Sequence, residues 1–352
     1  MKVYIFSEIN YYDNKHINQY LFDYLISEKI DCYFIERVSM SIPLKGIWRR
    51  FIDFFSKKSS TSQRINTSNS DRIIKSFILP SSPLFRIINK FIFKKNKLIL
   101  NKDDILISFV PHEQIYSICG RNAIWVYYCV HDTTQQKYCN KKSILHFERN
   151  SLSKNSVMFC DNQHVIDKLG LDSISYLSET NQGKCRSFSY LMPPPVPNEF
   201  YIKKTSPDVL YDFVYYGSFH ENIDNNIILS ISNEYKIIII SNNAPSILHS
   251  HKNITIVPSI YSMSDLANAI NSAKFILLPY KNTQFMETIT PAKILQVKAF
   301  SKPVLCTNKR LSEKYSLSND INKLLTPEGI SSIYSVSEIC SFILNKINYN
   351  AN

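Results

Sequence analysis

Short apolar runs alternate along this chain with longer stretches whose apolar residues recur every three to four positions. In the first half the runs fall at residues 3–6, 32–35, 105–109, 124–130, 157–160 and 188–191, and they are rich in Val, Ile, Phe and Tyr. Runs of that kind read as strands buried on both faces. Residues 14–27 and 142–153 carry helical spacing. In the second half the alternation is cleaner, with strands expected at 212–216, 236–240, 254–257, 275–278 and 304–306. Helices are expected at 264–272, 292–300 and 336–347. Buried strands separated by helical spans predict an α/β chain with mainly parallel, helix-covered sheets.

The alternation breaks at Met192-Pro193-Pro194-Pro195-Val196-Pro197-Asn198, where four prolines in seven residues can continue neither a helix nor a central strand. The break divides the chain into a first domain, 1–197, and a second, 198–335. The final segment, 336–352, is expected to cross back to the first. A length of 352 residues suits two domains, each with its own core.

Composition narrows the classes. With 44% hydrophobic and 13% aromatic residues the chain is not a disordered one. Its six glycines include no Gly-x-Gly-x-x-Gly and no Walker loop, which removes dinucleotide enzymes and P-loop NTPases of the usual kind. A net charge of +12 and a pI near 9.1 favour phosphate-bearing substrates, anionic lipid or nucleic acid without choosing among them. No apolar run reaches the length of a membrane span, and Met1-Lys2-Val3 leads straight into a strand without a signal peptide. Eight scattered cysteines lack Cys-x-x-Cys spacing and read as buried thiols of a cytoplasmic protein. No metal site and no cofactor are expected.

The candidate chemistry concentrates in residues 275–307, which read as strand, loop, helix, strand. Thr290-Pro291 precedes the helix, with the proline suited to its first turn. Unpaired N–H groups and the helix dipole make such a terminus a seat for phosphate. Lys293 lies in the first turn, and Gln296 sits three residues on along the same face. The plain alternative is an ordinary αβ unit with a surface Lys and Gln.

This stretch resembles the nucleotide-sugar site of GT-B glycosyltransferases. Many of these have a Pro-Tyr loop, a Ser/Thr-x-x-Lys-x-x-Glu-Tyr helix and a Gly-Lys-Pro-Val strand. Tyr280, Thr290, Lys293 and Lys302-Pro303-Val304 fit, while Gln296 replaces the glutamate that usually grips the ribose. Lys-x-x-Gln is more similar to the glucuronosyltransferase of xanthan assembly and its relatives, inverting enzymes of glycosyltransferase family 70. The resemblance implies two Rossmann-like domains facing a cleft. It places Lys293 on the diphosphate, with Thr290, Gln296 and Tyr280 around the nucleotide. Gly217-Ser218, ending the strand at 212–216, resembles the Val-Gly-Ser turn beside the donor phosphates, and His220 follows it.

In the first domain, Tyr127-Tyr128-Cys129-Val130-His131-Asp132 ends a strand in two polar residues. Carboxyl ends of strands line the ligand crevice of open α/β sheets. The resemblance extends thinly here, through Glu148 on the next helix and Asp161-Asn162 at the next strand end, and it makes Asp132 the general base, with His131 the alternative. A turn or helix-capping role for Asp132 stays open. His112 and Glu113 after the strand at 105–109, and His16 near the first strand–helix junction, are acceptor-side candidates; a purely structural histidine is the plainer alternative.

Residues 44–98 mix aromatic and basic side chains. Trp48, Arg49, Arg50 and Phe51, then Lys94 and Lys95, are candidates for contact with an anionic membrane, where a polyprenyl-diphosphate-linked acceptor would reside. Two surface helices with solvated charges would look the same. The sequence carries no Asp-x-Asp, so a metal-independent transfer is expected. The expectation is thus an inverting transferase moving glucuronate or another hexose from a UDP-sugar to a lipid-linked saccharide of a bacterial surface polysaccharide, peripheral on the inner face of the cell membrane. A retaining family-4-like relative, a sugar-nucleotide 2-epimerase and a non-enzymatic membrane- or nucleic-acid-binding protein are the rivals.

Overall fold

The computed structural model describes residues 1–12, 15–40, 70–135, 139–152, 157–170, 174–175, 188–201, 209–287, 289–300, 302–327 and 334–351. Trp48, Arg49, Arg50 and Phe51 lie outside them. The chain forms two compact units, Met1–Met192 with Cys340–Asn352, and Pro193–Ile339, so the division falls within the proline-rich segment.

The first unit is built on an eight-stranded sheet in the order β3-β2-β1-β4-β5-β6-β8-β7. Its strands are β1 (Val3–Phe6), β2 (Cys32–Glu36), β3 (Ile73–Lys75), β4 (Ile105–Ser108), β5 (Ile124–Cys129), β6 (Val157–Cys160), β7 (Ile174–Ser175) and β8 (Phe188–Leu191). Every pairing is parallel, with Ile5 of β1 in register with Phe34 on one side and Ile107 on the other. Helices cover both faces, so the central strands have no polar side. Helix Ile17–Ser27 buries Leu21, Phe22 and Leu25, and the Phe22 ring meets Phe34 edge-on at 5.6 Å. The last helix, Val336–Ala351, runs past the expected end at residue 347 and buries Cys340, Ile343 and Ile347. Its Phe342 packs edge-on against Tyr190 of β8, with ring centroids 5.5 Å apart.

The second unit repeats the design with five strands in the order β11-β10-β9-β12-β13. These are β9 (Tyr211–Tyr216), β10 (Ile237–Ile240), β11 (Ile254–Val257), β12 (Ala273–Leu278) and β13 (Val304–Cys306), again all parallel. Four successive isoleucines fill β10, and all are buried, as expected of a strand sandwiched between helices. In both sheets the first strand is central, flanked by the second and fourth in chain order. The chain therefore reverses direction across the sheet at β1/β4 and at β9/β12, and the carboxyl ends of those strands are where such sheets take up ligands. Among the described residues no helix is long and apolar enough to cross a membrane.

Candidate functional site

At the carboxyl end of β9 the chain turns at Gly217, whose φ of 117° lies in the region L side chains rarely adopt. The turn is held on three sides. The Gly217 N–H donates to the Ile240 carbonyl at 3.0 Å, and the Tyr215 hydroxyl donates to the Ser218 carbonyl at 2.9 Å. The Asn243 amide, at the end of β10, grips both the N–H and the carbonyl of Phe219 at 2.9 Å each. A Cβ there would also push aside Cε and Nζ of Lys293, so the close approach of that ammonium to the turn depends on the glycine.

Lys293 stands in the first turn of helix Ala292–Ala299, which begins one residue after Pro291; the proline is the N-cap (φ −61°, ψ 123°) rather than part of the turn. The ammonium Nζ lies 5.8 Å from the Tyr215 ring centroid and 5.9 Å from that of Tyr216, within cation–π reach. Among the described residues no carboxylate pairs with it. The side chain is half-buried, and desolvation pulls its pKa from 10.5 down to about 8. An uncompensated cation beside the open N–H groups of a helix terminus is costly alone and suited to an incoming anion.

Around this point, Gln296 Oε1 accepts from the Tyr216 hydroxyl at 3.3 Å, and Thr290 Oγ1 accepts from the Tyr315 hydroxyl at 3.3 Å. Tyr280 is buried in the core of this unit; its carbonyl accepts from Thr307 Oγ1 at 2.9 Å, which ties the loop after β12 to the end of β13. Lys302 sits elsewhere: its ammonium donates to the carbonyls of Asn271 and Ala273 at the amino end of β12. His220 is exposed; partial burial and then the Lys293 charge lower its pKa. Gly217, Ser218, Thr290, Lys293 and Gln296 are thus all carried on the carboxyl-end loops and helix of one sheet.

In the first unit Asp132 follows β5 and is buried. Its Oδ1 accepts from Lys168 Nζ at 2.6 Å, from Thr134 Oγ1 at 2.7 Å and from the Thr134 N–H at 3.1 Å. Burial alone would raise the Asp132 pKa, but these donors outweigh it and hold it below the usual carboxylate value. Lys168 also donates to Glu148 Oε2 at 3.0 Å. Burial pushes Glu148 upward against the pull of that ammonium. For Lys168, burial favours the neutral amine, yet the two carboxylates raise its pKa. The result is a buried triad of two carboxylates on one ammonium. His131, beside it, is driven down to about 4 by burial and is neutral at pH 7.

His112 is fully engaged: Nε2 lies 2.8 Å from the Leu79 carbonyl and Nδ1 accepts the Ile115 N–H at 3.2 Å. Glu113 lies 3.7 Å from the Arg86 guanidinium. His16 precedes helix Ile17–Ser27, and its N–H donates to Gln19 Oε1 at 2.7 Å. Lys94 and Lys95 end helix Arg86–Lys95. Lys168 and Asn243 were invisible in the sequence, because each acts on a residue 24 or 36 positions away and neither belongs to a motif.

No family model matches the sequence, and no curated protein matches it. Solved structures match by fold. Anabaena Alr3699/HepE in complex with UDP and glucose aligns over 100% of this chain and 92% of its own, with a TM-score of 0.56 at 9% identity. The same protein in complex with UDP-glucose aligns over the same shares, with a TM-score of 0.53 at 10% identity. The two-sheet α/β architecture of this chain is the GT-B fold.

Proposed function

We propose that this protein is a glycosyltransferase that takes a hexose, glucuronate among the candidates, from a UDP-sugar and passes it to a lipid-linked saccharide in bacterial surface-polysaccharide synthesis. The observation that carries this reading is the uncompensated Lys293 ammonium lying against the Gly217 turn at the carboxyl end of β9. A diphosphate seated there would regain for Lys293 the charge pairing that the unliganded protein withholds, and would use the free N–H groups of the helix terminus. The same two groups then stabilise the negative charge that builds on the leaving UDP as the sugar–phosphate bond breaks. Gln296 and Thr290, each on a neighbouring tyrosine hydroxyl, would meet the nucleoside. The reaction needs no cofactor beyond its nucleotide-sugar donor, and the HepE structures, which hold UDP with glucose and UDP-glucose on this fold, favour UDP as the carrier. Thermal melting with UDP, GDP, CDP and a panel of UDP-sugars tests it. UDP at 100 times its dissociation constant should stabilise the protein by about 2.7 kcal/mol. No shift with any nucleotide would sink the reading.

A lipid-linked acceptor also needs access to a membrane surface, and helix Arg86–Lys95 offers it. Asn89, Ile92 and Phe93 face inward, whereas Leu84, Ile87, Ile88 and Phe91 are 84%, 82%, 39% and 65% exposed. They recur at helical spacing as one apolar stripe, interleaved with Arg86, Lys90, Lys94 and Lys95. Such a face fits the headgroup region of anionic lipid, on the inner side of the cell membrane. The protein is expected to sediment with phosphatidylglycerol vesicles and not with phosphatidylcholine ones. Each apolar side chain contributes up to about 1.5–3 kcal/mol when fully buried, so Ile87→Asp with Phe91→Asp should weaken that binding at least about tenfold. Unchanged sedimentation of the double variant would remove this surface as the contact.

A further inference from the structure

His220 stands three residues beyond Gly217, on the loop that leaves the carboxyl end of β9. The backbone is held on both sides of it. Before it, the Asn243 amide grips the N–H and the carbonyl of Phe219 at 2.9 Å each. After it, the Ile223 N–H donates to the His220 carbonyl at 3.0 Å, and the Lys281 N–H donates to the Asn222 carbonyl at 2.9 Å. The Thr283 hydroxyl donates to Asn222 Oδ1 at 2.8 Å, so the loop after β12 anchors Asn222 by backbone and side chain together. All of these residues belong to the second unit.

The anchored Asn222 settles the state of the imidazole. Its backbone N–H donates to His220 Nδ1 at 3.3 Å. A backbone N–H can only donate, so Nδ1 presents a lone pair and the ring proton sits on Nε2. Among the described residues Nε2 has no partner, and the residue is exposed, so this N–H is open to a ligand. The ring also lies within reach of the Lys293 charge: partial burial first, and then that charge, lower the His220 pKa from its usual 6.5. A neutral imidazole beside the ammonium offers a second proton donor without a second positive charge to repel it. A histidine that merely closed the turn would use Nδ1 alone, so the two roles separate by ring nitrogen.

We infer that His220, through its Nε2–H, is a second group that binds the diphosphate of the donor, beside Lys293. The role rests on the glycosyl-transfer reading above. As the bond from the anomeric carbon to the phosphate oxygen breaks, its electron pair stays on that oxygen of UDP. The imidazole keeps its proton and shares it with a phosphate oxygen in a hydrogen bond. The leaving diphosphate is then held by one full charge and one neutral donor.

Titration calorimetry with UDP on the full chain tests this, using wild type, His220→Ala, His220→Asn and His220→Gln. Asparagine keeps an acceptor near the position of Nδ1, whereas glutamine carries an amide N–H out to the position of Nε2. His220→Ala and His220→Asn should weaken UDP by about 10- to 100-fold, the usual worth of a hydrogen bond to a charged group. Their melting temperatures without ligand should match wild type, and His220→Gln should bind UDP within about threefold of wild type. In 15N spectra of the wild-type imidazoles, with His220 identified by its loss in His220→Gln, UDP should move the Nε2 resonance. Rescue by asparagine and not by glutamine, an unmoved Nε2 resonance, or an unweakened His220→Ala overturns the proposal and leaves the Lys293 site standing. A wild type that binds no UDP overturns the donor reading and this proposal with it.

Discussion

Replacing Lys293 with alanine is expected to abolish the UDP-induced melting shift and to lower kcat/KM by about 100- to 1,000-fold, with no loss of stability in the unliganded protein. The magnitude is that of removing one preorganised charge-stabilising group from an active site. The unusual part is the stability. Most desolvated groups are missed when deleted, but among the described residues this ammonium has no anionic partner, and its surroundings disfavour its charge. Alanine relieves that cost and leaves space next to Gly217, which can accept it. The pH dependence follows with a definite sign. The folded-state pKa is about 8 against 10.5 for an unperturbed lysine. Between those values the unfolded chain holds a proton that the folded chain lacks, so stability contributed at this site rises with pH across that window. UDP binding runs the other way: it requires the ammonium, so affinity should fall as pH rises through about 8. Titration calorimetry at pH 6.5 and 9.5 checks this. A UDP affinity that is flat with pH in the wild type, or a full UDP shift retained by Lys293→Ala, would remove Lys293 from the diphosphate.

Lys168→Met should destabilise the first unit by about 3–5 kcal/mol. It leaves the carboxylates of Asp132 and Glu148, 5% and 1% exposed, without their shared cation. Adding Glu148→Gln should recover part of the loss, because a neutral amide needs no counter-ion, and the two changes should therefore be non-additive. The Asp132 share of the stabilisation is present above the ordinary carboxylate pKa of 3.8 and is lost as pH falls through its lower folded value. Urea unfolding of the single and double variants at pH 7 measures both effects. A Lys168→Met variant as stable as wild type would mean that the triad is hydrated in solution. The same experiment bears on Asp132, since a carboxylate that anchors a buried triad is structural first.

Much of the architecture was legible because it rests on local patterns. Val157–Cys160, Phe188–Leu191, Ile254–Val257 and Val304–Cys306 are uninterrupted apolar runs, and each forms the strand its residues predict. The strands that escaped notice, Ile73–Lys75 and Ile174–Ser175, are three and two residues long and pair on one side only, which is too short for a period of two to register. Helices Asn225–Ser232 and Lys309–Tyr315 are capped by the side chains of Asp224 and Asn308, but at eight and seven residues they give about two turns of pattern, too little to fix their bounds from sequence.

By itself the sequence determined two parallel α/β units, the proline break between them, a glycine-ended strand at Gly217 and a Thr-Pro-x-Lys helix entry at Lys293. These follow from hydrophobic period and backbone sterics, which act over a few residues. The tertiary structure alone decided which side chains are free to act. Lys293 meets Gly217 from 76 positions further along the chain, and among the described residues no carboxylate pairs with it, while Asp132, the more conspicuous strand-end acid, is tied up by a lysine from the helix Gln163–Leu169. Whether a charge is paired depends on distances in space, and a parallel sheet brings together residues that lie dozens of positions apart.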